Sequence, residues 1–400
     1  MYRKTYVEVN IDNLKNNVKN IVNYYNNYDY YFGIVKGNCY GHGTTYLINE
    51  LIESGVNYLA VSSLEEAFEA RQINKKIPII SLEPIRTEFV DICIKNNITM
   101  TVHDYNYAKE LINKKIDKKL KIHLKIDSGM NRLGFSNDKE LNEIYTELKN
   151  KENIEIEGIF THFATSGIND KEWDNQLENF KKITTGINLK EIPIVHLSKS
   201  AAFINHPKIE FSNGIRLGIA MYGYDLTPKY SNKGIKNKLR KIKRKINKTK
   251  NNISETITDL PIELKPAFKM YSEIIQIKNI KKGEFVGYGA SYRAKENEII
   301  ATIPAGYDDG IFRRSSGRCV SINNKRYPII GDVCMGMISV KVDNTVKMYD
   351  KVAIIGDAAP INEVAKYNKT SIYETMCNIG KQIPRIYVKE GEVIAIEEGK

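Results

Sequence analysis

The 400-residue sequence is poor in cysteine, with five, has one tryptophan and lacks any long apolar run. Cys39, Cys93, Cys319, Cys334 and Cys377 are scattered, odd in number and never spaced as C-x-x-C. That speaks against a disulfide framework or a zinc site and fits a reducing cytoplasm. No apolar stretch approaches the roughly 20 residues a membrane-crossing helix needs. The N-terminal MYRKTYVEVNIDNLKNN has no apolar core and so does not read as a secretory signal. The expected protein is therefore cytoplasmic, without a metal and without a membrane span. G-x-x-x-x-G-K-[ST], H-E-x-x-H and G-x-G-x-x-G patterns are also missing.

Acidic residues are absent between positions 229 and 250, where eleven basic residues fall. The formal charge of +12 comes almost wholly from that segment, since the rest holds 49 basic against 48 acidic residues. A high net charge suggests polyanion partners. Here it marks one insert, with Ile235, Leu239, Ile242 and Ile246 spaced as on one helical face. A solvated insert is favoured over a basic amphipathic helix, and no nucleic-acid partner is expected.

What is present is a rhythm. Short β-branched runs at 31–35, 58–61, 78–81, 98–102, 121–126, 154–160, 193–197 and 214–217 alternate with amphipathic segments such as 11–25 and 43–54. Eight β-α units at this spacing predict a (β/α)8 TIM-type barrel. A doubly wound open sheet is the competing arrangement. Beyond the insert the runs at 270–277, 298–303, 319–322, 327–330, 337–342, 351–355 and 386–388 are short and turn-punctuated, predicting a mostly β C-terminal domain. The expected division is 1–9, a strand joining the β domain; 10–228, the barrel; 229–262, the basic insert; and 263–400, the β domain.

The sharpest local feature is Ile34-Val35-Lys36-Gly37-Asn38-Cys39-Tyr40-Gly41-His42-Gly43. A lysine closes an apolar strand and a glycine-rich turn follows. A lysine so placed can point into a dry pocket and form a Schiff base with an aldehyde. A surface lysine beside a turn is the plain alternative.

With its V-K-x-N-x-Y-G-H-G pattern the sequence resembles the alanine racemase family, pyridoxal-phosphate (PLP) enzymes with a barrel and a β domain. The resemblance continues in order through Lys125-Ile126-Asp127-Ser128-Gly129-Met130-Asn131-Arg132, Thr161-His162-Phe163-Ala164-Thr165, Ser200-Ala201-Ala202 and Ile215-Arg216-Leu217-Gly218-Ile219. It resumes with Gly287-Tyr288-Gly289, Gly306-Tyr307-Asp308-Asp309-Gly310, Cys334-Met335 and Ile383-Pro384-Arg385. It implies that Lys36 carries PLP and is one of two acid/base groups. Tyr288, from the partner of a homodimer, would be the other. It implies that Arg216 faces the cofactor ring nitrogen with His196 behind it, that His162 lies against the ring, and that Tyr40, Ser200, Gly218 and Ile219 hold the phosphate. Arg132 and Met335 would contact a small amino-acid substrate, Lys125 would orient Arg132, and Tyr307 would line the access corridor. The implied reaction interconverts L- and D-alanine for peptidoglycan.

Three departures from the family pattern stand out: Gly336 replaces the usual aspartate, Lys199 an asparagine and Lys381 a tyrosine. They keep open a racemase of serine or another amino acid. A PLP carrier using only the barrel and a nucleic-acid-binding protein acting through the insert are the other readings.

Overall fold

The computed structural model describes residues 4–167, 170–226, 260 and 262–399. The basic segment 229–250 lies outside the described residues. The chain forms two compact units. One comprises residues 14–36 and 48–265, the other 1–13, 37–47 and 266–400.

The first strand, β1, is Tyr6–Asn10. The next eight are β2 (Tyr30–Ile34), β3 (Tyr58–Val61), β4 (Ile79–Ser81), β5 (Ile98–Val102), β6 (Leu120–Ile126), β7 (Ile154–Thr161), β8 (Ile194–Lys199) and β9 (Gly214–Leu217). β2 to β9 are parallel neighbours in sequence order, and β9 pairs back onto β2, so the sheet closes. Closure excludes the doubly wound alternative and makes the first unit a (β/α)8 barrel. Residues of β3, β4 and β5 are buried throughout, as expected for parallel strands covered on both faces; Thr99 and Thr101 of β5 alternate with apolar residues yet are buried as well. Short polar residues begin several of the intervening helices. Asp104 accepts from the Tyr107 amide at 2.9 Å, and Asn137 and Ser63 serve likewise.

Aromatic rings fill the barrel interior. Phe32 stacks on Tyr58 at 4.6 Å and on His196 at 4.4 Å, and Phe160 covers the other face of His196 at 4.7 Å. The barrel is thus a packed core, with its chemistry left to the strand ends.

The second unit is built on a ten-stranded sheet. Its order is Gln276–Ile280, Glu298–Ile303, Ile338–Val342, Lys325–Ile330, Cys319–Ile322, Lys351–Ile355, Phe268–Glu273, β1, Arg385–Lys389 and Glu392–Glu397. β1 lies antiparallel to Phe268–Glu273 and parallel to Arg385–Lys389. The run expected at 270–277 is two strands, because the chain changes partners at Ile274, whose amide bonds Asp350 and whose carbonyl accepts from Tyr349. Glu392–Glu397 was not anticipated from the sequence; it is exposed except at Ala395 and Glu397, which are half-buried.

The helix expected at 43–54 runs only over Leu47–Glu53. The preceding residues are taken by a left-handed turn, with φ of 62° at Gly37, 53° at Asn38, 52° at Cys39 and 53° at Tyr40. Such a turn costs roughly 1–2 kcal/mol for each L-residue. It persists because its exit is locked. Arg385, 2% exposed, donates from Nε to the Gly41 carbonyl, and Tyr387 Oη donates to the His42 carbonyl. A Cβ at Gly41 would lie 2.3 Å from the Met376 carbonyl oxygen, at a φ of +80°. Gly41→Ala should therefore destabilise the protein by about 2–4 kcal/mol, read as a lower denaturation midpoint.

Candidate active site

Six strand ends or following residues converge chemistry on one rim of the barrel. Lys36 follows β2, Lys125 lies near the end of β6, His162 follows β7, Lys199 ends β8 with Ser200 after it, and Arg216 lies on β9. All sit toward the C-terminal ends of parallel strands, the usual place for a barrel's active site.

Arg216 is the most constrained of them. It is 2% exposed. Nη1 donates to His196 Nδ1 at 2.9 Å and to the His196 carbonyl at 2.6 Å. Nη2 donates to the carbonyls of Thr161 at 2.8 Å and Leu197 at 2.7 Å. Nε has no partner among the described residues. No carboxylate pairs with this guanidinium among them either, and burial pulls its pKa down to about 9. His196, fully buried beside it, is held well below the ordinary histidine value by burial and then by Arg216.

The other cations feel the same want of negative charge. Lys125 is 5% exposed, and burial, then Arg132 and Arg216, lower its pKa to about 8. Lys199 is lowered by burial, Arg216 and Arg132. His162 is pushed well below its usual range by burial, with Arg216, Lys199, Arg132 and Lys125 adding to it. Arg132 itself is exposed, on a loop turned by Asp127, whose carboxylate accepts from the amides of Gly129, Asn131 and Arg132. Lys36 is 41% exposed in its side chain and stands 3.8 Å from Glu83, a carboxylate that follows β4.

Ser200 Oγ, 4% exposed in its residue, accepts from the amides of Gly218 at 3.1 Å and Ala220 at 3.3 Å. The Ile219 amide between them finds no acceptor among the described residues. This turn after β9 can receive an anion.

Tyr40, Tyr288, Tyr307 and Met335 belong to the second unit. Tyr40 rests 5.7 Å from the ring of Tyr373. Tyr307 and Met335 are brought together: the Tyr307 amide bonds the Cys334 carbonyl and the Asp308 amide bonds the Met335 carbonyl, each at 3.0 Å. Tyr288 occupies a tight turn between Gly287 and Gly289 and is 71% exposed; Met335 is 61% exposed. A Cβ added to Gly336 would meet nothing within 4 Å. Lys381 is exposed, and its carbonyl accepts from Arg385.

Sequence reading missed Glu83, and it missed His123 and Glu157 beneath His196. The last two are buried polar residues on β6 and β7, and no local signal set them apart from the other polar residues of those strands. Among the described residues, no three His, Cys, Asp or Glu side chains form a metal-binding group, and no helix is long and apolar enough to cross a membrane.

A closed barrel whose rim holds buried cations, Arg216 and Lys125, is the architecture of an enzyme with its site at the strand ends, and its charge suits an anionic ligand. The chain belongs to the alanine racemase family: the N-terminal domain of that family matches residues 9–226 and its C-terminal domain residues 267–387. It is 33% identical over 407 residues to the alanine racemase of Clostridium novyi, covering 98% of each chain. It is 31% identical over 400 residues to alanine racemase 1 of Bacillus subtilis, covering 99% of this chain and 96% of the relative. The crystal structure of alanine racemase from Bacillus anthracis with bound L-Ala-P superposes with a TM-score of 0.86 at 32% identity, covering 100% of this chain and 98% of that one. A histidine racemase from Leuconostoc mesenteroides shares the fold, with a TM-score of 0.81 at 24% identity.

The Lys125 ammonium gives a testable electrostatic consequence. Its folded pKa lies below its unfolded one, so folding carries a penalty that is fully present below about pH 8 and disappears as pH rises towards 10.5. The size is about 3 kcal/mol. Lys125→Met should raise the stability of the cofactor-free protein at neutral pH, and the gap to wild type should close at alkaline pH. Denaturant midpoints across pH check this.

Proposed function

We propose that this chain is a PLP-dependent racemase that interconverts L- and D-alanine in the cytoplasm and supplies D-alanine for peptidoglycan. Arg216 carries the reading. A buried, unneutralised guanidinium with both Nη atoms occupied and Nε free suits a ring nitrogen that must accept a hydrogen bond and stay unprotonated, because arginine only donates. The donor set as a whole suits PLP. Lys36 offers an amine, the Ser200 hydroxyl and the Gly218–Ile219 backbone suit the phosphate, Tyr40 would join them and His162 would lie against the ring. Bound PLP supplies the electron sink that makes the substrate α-proton acidic.

The remaining work falls to the chain's own groups. Arg132 fixes the substrate carboxylate, with Lys125 orienting it, and the Met335 backbone contributed by a second copy of the chain contacts the substrate. Racemisation needs a proton removed from one face of the α-carbon and another delivered to the opposite face. Lys36 Nζ serves one face. Tyr288 Oη, contributed by a second copy of the chain, serves the other. Phe285, Tyr288, Tyr307, Met335 and Met337 are large apolar side chains left exposed on the second unit, which supports a homodimer with shared sites. Tyr307 would narrow the access corridor to small amino acids.

The second reading, racemisation of serine or another amino acid, is favoured by Gly336, where the family's usual carboxylate is missing. Racemisation assays on a panel of L-amino acids with added PLP decide. Alanine should show the highest kcat/KM; a preference for serine would favour the second reading, and no racemisation at all would sink both. Lys36→Ala should abolish the visible cofactor absorbance and lower kcat about a thousandfold or more. Since the space at Gly336 is open, Gly336→Asp should leave the denaturation midpoint near that of wild type and raise the preference for alanine over serine by roughly two- to tenfold.

A further inference from the structure

Below Arg216 a single file of polar groups runs through the otherwise aromatic interior of the barrel. Arg216 Nη1 meets His196 Nδ1 at 2.9 Å, His196 Nε2 meets His123 Nδ1 at 2.9 Å, and His123 Nε2 meets Glu157 Oε2 at 3.2 Å. Both histidines are fully buried and Glu157 is 6% exposed. Glu157 also receives Tyr58 Oη at 2.6 Å and Thr99 Oγ1 at 3.1 Å on Oε2, and Lys121 Nζ at 2.6 Å on Oε1.

The file has one permitted direction. Arginine can only donate, so His196 Nδ1 must be bare and its proton must sit on Nε2. His123 Nδ1 then accepts that proton's hydrogen bond, and His123 carries its own proton on Nε2, aimed at Glu157. A carboxylate, which only accepts, is what the last position requires. Burial alone would raise the Glu157 carboxyl, but hydrogen bonds from His123, Lys121 and Tyr58 hold it at about 2. Both histidines are pushed towards neutrality, burial being the main cause.

The backbone is shaped for this file. The β6–β7 register shifts at His123 and the β8–β9 register shifts after His196. Such irregularities re-aim side chains. A Cβ at Gly158 would lie 2.6 Å from the His123 ring.

We propose that Glu157 is a positioning residue for the racemase reaction: acting through His123 and His196, it selects the histidine tautomers that keep Arg216 anchored as a donor beneath the cofactor. This rests on the role given to Arg216 above. The plain alternative is that Glu157 only neutralises Lys121 inside the fold.

Glu157→Gln separates the two. Lys121 claims the amide oxygen, which turns the NH2 group towards His123. That donor favours the reversed file, leaving a protonated His196 Nδ1 against Arg216. Nitrogen NMR of histidine-labelled holoenzyme reads the tautomers directly, with only six histidines to resolve; His123→Gln and His196→Gln assign the signals. In wild type, both should be neutral and protonated on Nε2. In Glu157→Gln, at least one should move its proton or become charged, and kcat should fall about ten- to a hundredfold with little change in KM. Glu157→Asp should restore the tautomers and most of kcat. A wild-type proton on Nδ1 of either ring would overturn the proposal. So would a Glu157→Gln enzyme with unchanged tautomers, whatever its kcat. If that variant does not fold, the wild-type tautomers and Glu157→Asp decide. Failure of the underlying reading would show separately, as wild-type protein that neither binds PLP nor racemises.

Discussion

The structure turns on a positive charge that is solvated but not neutralised. Burying a guanidinium is costly unless something replaces its water. The common replacement is a carboxylate. Arg216 is given three backbone carbonyls and a neutral imidazole, all of them dipoles. The charge is thereby held in place while its field still reaches the rim, where Lys125, Lys199 and His162 all register it as lowered pKa values. A carboxylate at the same place would quench the field and remove the attraction for an anionic ligand.

That arrangement constrains the barrel below. Carbonyls from Thr161, His196 and Leu197 can turn towards one side chain only where strand pairing relaxes, and the β8–β9 register shifts there. His196 must be flat and neutral to accept from Arg216, and Phe32 and Phe160 hold it on both faces at tilts of 18° and 15°. The aromatic layer so serves packing and electrostatics at once. It excludes water from His196 and keeps the imidazole from charging beside a cation.

Much of this was legible in the sequence, for a physical reason. Parallel strands buried on both faces are rich in β-branched and apolar residues, so β3, β5 and β6 were read within a residue of their ends. The rim residues were legible because Lys36, Arg132 and Arg216 sit in dense motifs. What escaped depended on distant partners. The left-handed turn after Lys36 is imposed by Arg385 and Tyr387, more than 340 residues away in the chain. The break at Ile274 follows a change of strand partner that no local signal marks. His123 and Glu157 lie in different strands and become a pair only when β6 and β7 align in register.

The rim also separates two meanings of positive charge. The sequence's formal +12 is concentrated at positions 229–250, and the rest of the chain is nearly neutral. Composition therefore says nothing about the sign of the site. The rim is positive because carboxylates are kept from Arg216, while Glu83 stands at 3.8 Å from the half-exposed Lys36. A solvent-facing pair at that distance is weak and easily parted. An incoming anionic ligand thus meets a firm cation at Arg216 and a loosely held amine at Lys36, the order of rigidity that the proposed roles of these two residues call for.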